Sequence, residues 1–431
     1  MISVTIRKPD VVPEAQWDDL VARAQPNVFM TPAALRAAAD TMFAVIHVLL
    51  AWELGLDEPK LIGLWALQER RAFPFWPKVL DALPYEYAFL SSPVVDQAYV
   101  TQVIPAFLAA LADAPGLPKV VGVRSLDGEA ASCTALLHAL DARGGRSIIL
   151  KSESRPCVTR AGYVKQTGER AKKLRQNWKK LQALGPTEVL HLTAPTEVMA
   201  GFEQFLALEQ RGWKGAAGTA LLCRDADAAF VRRLVQGLAA RGEAAIHLLR
   251  VNDQVIAVQV VFICGTVAYT WKTSFDEAFA RYSPGVVLID RCVDDILASP
   301  DIAAIDSCSI EASFMAKICN GRRMMHDVLI DLGPRKSLAF GLESLRLSGR
   351  EGLKRLRDRV LTRRSGRAGA VVAAEAGPSP VAGGQATRPG ADRAIDLAEP
   401  SPPIAAQADA PEATSRRRPA RTPATIRSGG V

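Results

Sequence analysis

The chain has 431 residues, of which 49% are hydrophobic and 23% charged, so two domains with sizeable cores are expected. No run of about 18 apolar residues occurs, so no membrane-spanning helix is predicted. The residues after Arg7 and Lys8 are not apolar, so we expect no signal peptide and a cytoplasmic location. The net charge of +8 is concentrated in a few basic segments.

The cysteines and histidines do not indicate a metal site. Cys occurs 7 times, scattered through apolar runs without a Cys-x-x-Cys pair, and no histidine stands at metal-ligand spacing. This usage predicts reduced, mostly buried thiols, as in a cytosolic protein. The histidines of the predicted strands are expected to have structural roles.

Apolar periodicity in the first half predicts one strand, two helices, three strands and then helices alternating with strands. The second helix opens with Thr31 as its cap and Pro32 in its first turn. The predicted strands cover residues 2–7, 44–54, 61–69, 85–90, 119–123 and 147–151. The predicted helices cover residues 14–24, 32–43, 98–112 and 128–141.

The second half begins after a connector at 152–168 with a strongly basic predicted helix at 169–184, and it then follows a similar course. Turn-forming pairs at 252–253 and 265–266 separate three strands of a meander. The predicted strands cover residues 187–192, 245–251, 254–264, 267–274, 302–308 and 324–331. The further helices cover residues 195–212, 226–240, 284–297 and, as a short helix, 312–319.

Both halves show the order β-α-α-β-β-β-α-β-α-β, which predicts two copies of one α/β fold with a mixed sheet. We place the first lobe at residues 1–153 and the second at 154–334. Leucines alternating with arginine and lysine predict a basic amphipathic helix at 335–362. Residues 363–431 contain no Phe, Trp or Tyr and are rich in Ala, Pro, Gly and Arg, so this tail is predicted to be disordered.

The segment 267–297 predicts a strand, a tight loop and a helix. The loop at 281–285 (Arg-Tyr-Ser-Pro-Gly) places proline in the first helical turn and a serine before it that can cap free amides. Glycine lets a ligand approach the backbone, and the amides and dipole of a helix start favour phosphate. The loop therefore predicts a pyrophosphate cradle at 281–286; the alternative is an ordinary capped turn.

The element order resembles the GNAT acyltransferase superfamily, in which the loop after the fourth strand holds the pyrophosphate of acetyl-CoA. Two stretches resemble a branch of it: Phe-Leu-Ala-Leu-Glu at 205–209 with Gly-Trp-Lys-Gly at 212–215 and Gly-Thr-Ala at 218–220, and Ala-Arg-Tyr-Ser-Pro-Gly at 280–285. This branch contains two-lobed bacterial proteins called CelD-like or cellulose-biosynthesis-type acetyltransferases. Its tandem layout is similar to that of the Fem aminoacyltransferases. The resemblance implies tandem GNAT-like domains, each with a mixed, mostly antiparallel sheet flanked by helices.

The sequence departs from the family pattern at two places. The usual GNAT loop is Gln/Arg-x-x-Gly-x-Gly/Ala, whereas here Arg281 is followed by a single glycine, Gly285. Branch members often carry Asp-Phe-Gly and then a Tyr-Lys pair after the fifth strand. Here Asp306 and Lys317 are retained, but the tyrosine is not.

The resemblance implies acetyl-CoA, or another acyl-CoA, as the co-substrate, and acyl transfer requires no metal. The backbone amides of Gly285 and Val286 would bind the pyrophosphate, with Arg281 or Ser283 assisting. Tyr282 could protonate the leaving thiolate; the alternative is a tyrosine packed on the helix start.

The remaining candidates concern the acceptor. Glu209, late in a predicted helix, could be a general base or a solvated carboxylate, and Asp306 could orient the acceptor or cap a turn. Two tryptophans could line the acceptor pocket or belong to the core, and two lysines could neutralise a phosphate or an anionic acceptor or lie on the surface. These residues are Trp213, Lys214, Trp271 and Lys272.

The basic segments have two interpretations each. The helix at 169–184 could bind an anionic polymer or membrane surface, or it could dock Leu174, Trp178 and Leu181 on the core and expose its charges. Residues 338–361 are the better candidate for peripheral membrane contact, because no later segment needs them for a core. No aromatic-interleaved basic sheet or helix-turn-helix occurs, so a nucleic-acid partner is not favoured.

These observations together predict an acyltransferase that moves an acetyl or other acyl group from acyl-CoA to an amine or hydroxyl acceptor. The resemblance implies a small-molecule, glycan or envelope-precursor acceptor in exopolysaccharide or cell-envelope metabolism. One alternative is a Fem-like transferase that uses aminoacyl-tRNA. Another is a non-catalytic protein that binds an envelope-synthesis complex.

Overall fold

The computed structural model describes residues 1–55, 58–333, 335 and 337–349. The predicted tail at 363–431 therefore lies outside the described residues. So does the part of the predicted helix that follows residue 349. In the first half, the strands are β1 (Ile2–Arg7), β2 (Val45–Glu53), β3 (Lys60–Arg71), β4 (Lys78–Asp81), β5 (Val94–Val95), β6 (Val120–Asp127) and β7 (Arg146–Thr159). The helices are α1 (Glu14–Val21), α2 (Pro32–Asp40), α3 (Val100–Asp113) and α4 (Ala131–Ala142).

The second half repeats this order of elements. Its strands are β8 (Thr187–Leu192), β9 (Ala244–Val251), β10 (Gln254–Cys264), β11 (Val267–Phe275), β12 (Ala304–Asp306) and β13 (Gly321–Asp331). Its helices are α5 (Gly168–Gln182), α6 (Pro195–Arg211), α7 (Trp213–Ala216), α8 (Asp225–Ala240) and α9 (Pro284–Ala298). Residues 338–349 form a further helix, α10. The predicted fold class, a mixed sheet flanked by helices in two similar halves, is confirmed.

Two predicted elements are wrong. Residues 85–90 are not the third long strand of the first half, because β4 takes that place, pairing antiparallel with β3 and parallel with β6. Tyr85 and Leu90 are buried in an irregular segment, and burial of alternate apolar side chains imitates the pattern of a strand. The predicted helix at 312–319 is reduced to one 3-10 turn, Phe314–Lys317.

All the long strands belong to one continuous sheet. Its order is β1-β2-β3-β4-β6-β13-β7-β12-β11-β10-β9-β8, with β5 paired to β3. The last strand, β13, lies between β6 and β7 and is antiparallel to both. Strand β7 pairs with β13 over most of its length and with β12 through residues 157–159. The lobe boundary predicted at residues 153 and 154 falls inside β7, so the two halves meet within the sheet.

Aromatic side chains join the two halves on one side of the sheet. Phe29 makes an edge contact with Tyr269 at 5.8 Å between ring centroids, and Tyr85 lies 5.0 Å from Phe230. These rings belong to the larger hydrophobic core, which includes side chains from both halves. Their burial, together with the shared strands, fixes the relative position of the two halves.

Helix α9 packs over a second core, and the basic helix α5 covers it further. Leu181 is buried there, and Leu174 and Trp178 pack against the same cluster. The prediction that α5 docks these three residues is confirmed. The cationic side chains of the helix face outward, as the exposure of Lys172 shows.

Helix α10 is not the separate element that the sequence predicted. Phe340 is buried in a third cluster with Val79, Val120 and Leu329. Glu343 is also buried, and it accepts hydrogen bonds from the Trp76 indole at 3.1 Å and from Arg346 Nε at 2.8 Å. The start of the predicted amphipathic helix is therefore docked on the first half.

We expect Phe340→Ala to release α10, because removing a buried aromatic ring costs roughly 3–5 kcal/mol. Amide exchange in residues 341–349 should accelerate strongly, and the free energy of unfolding should fall. The control is Leu345→Ala, which removes an exposed side chain of the same helix and should leave both measurements unchanged. Equal exchange in the two variants would contradict the docking of α10.

His247, on β9, is fully buried and stacks on His191 of β8 at 4.3 Å. Neither of its ring nitrogens has a hydrogen-bond partner among the described residues. Burial, and then the neighbouring His191, lowers the pKa of His247 to about 3. The folded protein therefore holds this imidazole neutral well below the pH at which an unfolded histidine ionises.

This histidine predicts a loss of stability in acid. The unfolded chain takes up a proton on residue 247 near pH 6.5, and the folded chain does so only near pH 3. The free energy of unfolding therefore falls as the pH drops through this window, by up to about 3–5 kcal/mol. We expect His247→Leu to flatten the acid limb in urea unfolding at several pH values. The exposed His138→Gln is the control, and a limb of wild-type slope in His247→Leu would refute the prediction.

Candidate functional site

A cavity opens where two parallel strands of the second half separate. β11 and β12 pair at only three positions, from Val267 with Ala304 to Tyr269 with Asp306. β12 then ends, while β11 continues to Phe275. The cavity beyond this point has a volume of about 370 Å³, and its wall includes β11 from Thr270 to Phe275.

Both halves of the chain line this cavity. The first half contributes Arg124 and Ser125 of β6 and residues 151 and 153–155 of β7, and β13 contributes Met325 and Asp327. These strands reach the cavity because β13 lies between β6 and β7. The cavity is therefore a site at the junction of the two halves.

The predicted cradle forms one edge of the cavity. Ser283, Gly285 and Val286 line it, and Ser283 adopts left-handed backbone angles, with φ 51° and ψ 54°. The expectation that Ser283 caps α9 is wrong, since its side chain makes no capping hydrogen bond. The amides of Gly285 and Val286 in the first turn of α9 thus have no side-chain cap within the described structure, and they remain available as donors to an anion.

Gly285 lies close to β11, but neither its backbone angles nor its neighbours require a glycine at this position. A Cβ atom at this position would lie 3.5 Å from Phe275 Cδ1 and 3.6 Å from Thr273 Cγ2, which are ordinary contacts. Alanine would therefore fit, whereas a long charged side chain would have to occupy the cavity or displace these residues. This difference makes position 285 suitable for a matched pair of substitutions.

Glu209 is anchored near the end of α6. Its carboxylate accepts hydrogen bonds from Lys214 Nζ at 3.0 Å and from the Leu221 amide at 2.9 Å. The tight return that brings Lys214 back depends on Gly215, where a Cβ atom would lie only 1.7 Å from the Gln210 carbonyl oxygen. The fold of this turn therefore explains the final glycine of the Gly-Trp-Lys-Gly stretch at 212–215.

The same return is tied to the segment that precedes the cradle. The Trp213 amide donates to Glu277 Oε1 at 2.6 Å, and both residues line the cavity. Glu277 belongs to the 3-10 helix Glu277–Tyr282, which leads into Ser283. The return that follows α6 and the segment that leads into the predicted cradle are thus connected by a hydrogen bond.

Lys272, on β11, interacts electrostatically with Glu209 and Lys214. Its Nζ lies 5.1 Å from the centre of the Tyr87 ring and 5.4 Å from the Trp271 ring. Burial and the nearby Lys214 lower the pKa of Lys272 to about 8, although Glu209 acts in the opposite direction. This amine is mostly protonated near pH 7, but it loses its proton more readily than an ordinary lysine does.

Glu209 remains ionised in this environment. Burial alone would raise the pKa of its carboxyl group, but Lys272, Lys214 and the Leu221 amide outweigh burial and lower it. A carboxylate held by two lysines and an amide is a weak proton acceptor. Its evident effect is to keep cationic lysines at the cavity.

Sequence reasoning missed the first-half partners of this cluster. The Tyr87 hydroxyl donates to Asp227 Oδ2 at 2.7 Å, and the Trp271 indole donates to the Tyr87 carbonyl at 3.0 Å. The sequence also gave no sign of Arg124, which lines the cavity and binds the buried Asp81 through Nη2 at 2.8 Å. No local pattern could have found these residues, because only the sheet order brings them to the second half.

The structure brings most of the predicted site residues to one cavity. The predicted residues that line it are Glu209, Trp213, Lys214, Trp271, Lys272, Ser283, Gly285 and Val286. Arg281, Tyr282 and Asp306 are not among its lining residues. Tyr282 is buried in the second core with the Arg281 guanidinium over its ring at 4.7 Å, and Asp306 faces Arg155 and Arg323, each at 3.5 Å.

Residues 168–310 match the family model for an acetyltransferase (GNAT) domain. This span runs from α5 past β12, and it includes Glu209, Lys272 and the cradle at 283–286. The match lies within the second half of the chain and covers less than half of the whole sequence. No curated protein sequence matches the chain.

Three solved structures show what this chain is similar to over about three quarters of its length. A crystal structure of FemX is 11% identical, covers 76% of this chain and 96% of its own, and superposes with a TM-score of 0.50. A protein of unknown function from Bacteroides thetaiotaomicron is 12% identical, with 76% and 99% coverage and a TM-score of 0.48. A tandem GNAT protein from the clavulanic acid biosynthesis pathway is 12% identical, with 78% and 100% coverage and a TM-score of 0.45. At such identities the likeness to FemX shows the fold alone, and the lower scores add nothing to it.

No helix in the described ranges is long and apolar enough to cross a bilayer. In the same ranges, no group of three or more His, Cys, Asp or Glu side chains could hold a metal ion.

The charge cluster predicts opposite effects of two substitutions on the pKa of Lys272. Glu209→Gln removes a negative charge and should lower that pKa by roughly one pH unit, whereas Lys214→Met removes a positive charge and should raise it similarly. The pKa would be followed by NMR of ¹³C-labelled lysine, with the signal assigned by Lys272→Arg. The exposed Lys172→Met is the control and should have no effect. Shifts of the same sign in both cluster variants would refute this account.

Proposed function

We propose that this protein transfers an acyl group from an acyl-CoA to an amine or hydroxyl acceptor within the cavity. The observation that carries the proposal is the arrangement around the separated strands β11 and β12. Uncapped amides of Gly285 and Val286 lie at one edge of the cavity, and the low-pKa amine of Lys272 lies on its wall. A donor with a diphosphate and a proton acceptor for the nucleophile suit these two features.

The donor end of the cavity fits a diphosphate. The start of α9 combines free backbone donors with the positive end of the helix dipole. Gly285 adds no side chain over these amides, and Lys317 is a cationic residue that also lines the cavity. Acyl-CoA bound there would supply the thioester whose acyl carbon is attacked.

Lys272 is the proposed base for the acceptor. In its neutral form it takes the proton of the acceptor amine or hydroxyl as that group attacks the acyl carbon. The new C–N or C–O bond replaces the C–S bond, and the thiolate leaves and is protonated from solvent. We assign this role to Lys272 rather than to Glu209, since the carboxylate already accepts two hydrogen bonds. Tyr282 as the acid and Asp306 as an acceptor-orienting group stay predictions that their buried positions do not favour.

The cavity lining also includes a cluster of hydroxyl groups. Ser309 Oγ lies 2.9 Å from both Ser307 Oγ and Ser313 Oγ, and all three residues line the cavity. Such a wall can donate and accept hydrogen bonds with a hydroxylated acceptor. This chemistry suits a glycan or envelope precursor, the acceptor class implied by the CelD-like resemblance.

A Fem-like transferase that uses aminoacyl-tRNA is the second candidate. The architectural similarity to FemX and the outward cationic face of α5 favour it. A non-catalytic envelope-complex protein is the third candidate, and it would require no donor at the cradle. The three candidates differ in whether a free acyl-CoA stabilises the folded chain.

We expect acetyl-CoA to raise the melting temperature of the wild-type protein. A ligand at about 100 times its Kd adds about 2.7 kcal/mol to the free energy of unfolding. Gly285→Ala should keep this effect, because the added Cβ makes only ordinary contacts. Gly285→Glu should abolish it, because the carboxylate would occupy the cradle and repel the diphosphate.

The measurement is thermal unfolding with and without acetyl-CoA for all three proteins. Loss of the effect in Gly285→Glu counts only if its melting temperature without ligand stays near that of Gly285→Ala. No acetyl-CoA effect in the wild type, with stabilisation by aminoacyl-tRNA, would replace the proposal by the Fem-like candidate. No effect of either ligand would favour the non-catalytic candidate.

A further inference from the structure

The hairpin between β3 and β4 exposes two aromatic rings. Its tip, residues 72–77, reads Ala-Phe-Pro-Phe-Trp-Pro. Phe75 is fully exposed, and Phe73 is 54% exposed. Large apolar side chains held out on a projecting turn gain nothing for the fold, and grouped exposed apolar residues mark interaction sites.

Helix α10 exposes a row of leucines. Leu338, Leu342 and Leu345 are 87%, 41% and 73% exposed. They are spaced four and three residues apart, which places them along one side of the helix. Phe340 and Glu343 occupy the buried side, so the leucines are not needed for docking the helix.

The hairpin tip and α10 are fastened to each other. Trp76 donates to Glu343 Oε2 at 3.1 Å, Arg70 Nη2 lies 3.5 Å from Glu343 Oε1, and the Phe73 ring packs edge-on against Trp76 at 5.7 Å. Burial of Glu343 with these partners makes the joint rigid. The two phenylalanines and three leucines therefore lie on two elements that are held together, and we call this set of five side chains the apolar edge.

The chain that follows the apolar edge is strongly cationic. Residues 350–364 contain seven cationic side chains and two acidic ones. The cationic residues are Arg350, Lys354, Arg355, Arg357, Arg359, Arg363 and Arg364. Exposed aromatic and leucine side chains next to a polybasic segment are the combination that binds an anionic bilayer surface.

We propose that the apolar edge inserts into the interface of a membrane that contains anionic lipid. A bilayer suits the hairpin tip better than a groove on a partner protein does. The two phenylalanines of the tip are exposed, and a proline separates them. Neither structural feature belongs to the acyl-transfer cavity. The inference is therefore independent of the proposed function.

The test is flotation of the full-length protein with vesicles. We expect binding to vesicles of phosphatidylcholine with phosphatidylglycerol and at least tenfold weaker binding to phosphatidylcholine alone. Raising the salt from about 0.1 M to about 1 M, which shortens the Debye length from about 10 Å to about 3 Å, should weaken binding markedly. Phe73→Ser/Phe75→Ser should reduce the partition coefficient at least tenfold while leaving the basic segment intact.

Val164→Ser is the matched control. Val164 is an apolar residue that is 65% exposed before α5, away from the hairpin and α10, so its substitution should not alter vesicle binding. Wild-type binding by the double variant would overturn the role of the apolar edge. Equal binding to both vesicle types would overturn the anionic membrane as its occupant. The membrane would also be overturned as the occupant if the wild-type protein bound no vesicles and sedimented as a dimer that the double substitution dissociates.

Discussion

The position of β13 is the constraint on which the rest of the structure depends. This strand comes from the second half of the chain, yet its hydrogen bonds are made to β6 and β7 of the first half. Because backbone pairing in a sheet is obligatory for buried strands, the two halves cannot separate without exposing both neighbours of β13. The cavity is consequently built across a rigid junction rather than across a hinge.

The junction allows charged groups to be buried together. Glu209, Lys214 and Lys272 would each lose favourable hydration if they were buried alone, and their mutual attraction offsets that loss only in part. The part of the desolvation cost that is not offset lowers the pKa of Lys272, because this amine can become neutral at a modest free-energy cost. An amine with this property is costly for stability, and the proposed function gives it a use as a proton acceptor.

The sequence predicted the fold class because local periodicity survives in most elements. The meander β9 to β11 and helix α9 were found from alternation, turn pairs and an apolar face. It failed at residues 85–90, since an irregular buried segment has the same apolar pattern as a strand. It also treated residues 335–349 as independent, since no local pattern shows that Phe340 and Glu343 contact the first half.

For the site, the sequence by itself determined the residues whose role comes from local backbone geometry. The turn that presents Gly285 and Val286, and the Gly-Trp-Lys-Gly return that brings Lys214 to Glu209, are encoded within a few residues. Tertiary structure alone decided that Arg281, Tyr282 and Asp306 lie outside the cavity lining and that Tyr87 and Arg124 lie at the site. The reason is that side-chain direction and strand order depend on pairing between distant segments, which a one-dimensional pattern does not contain.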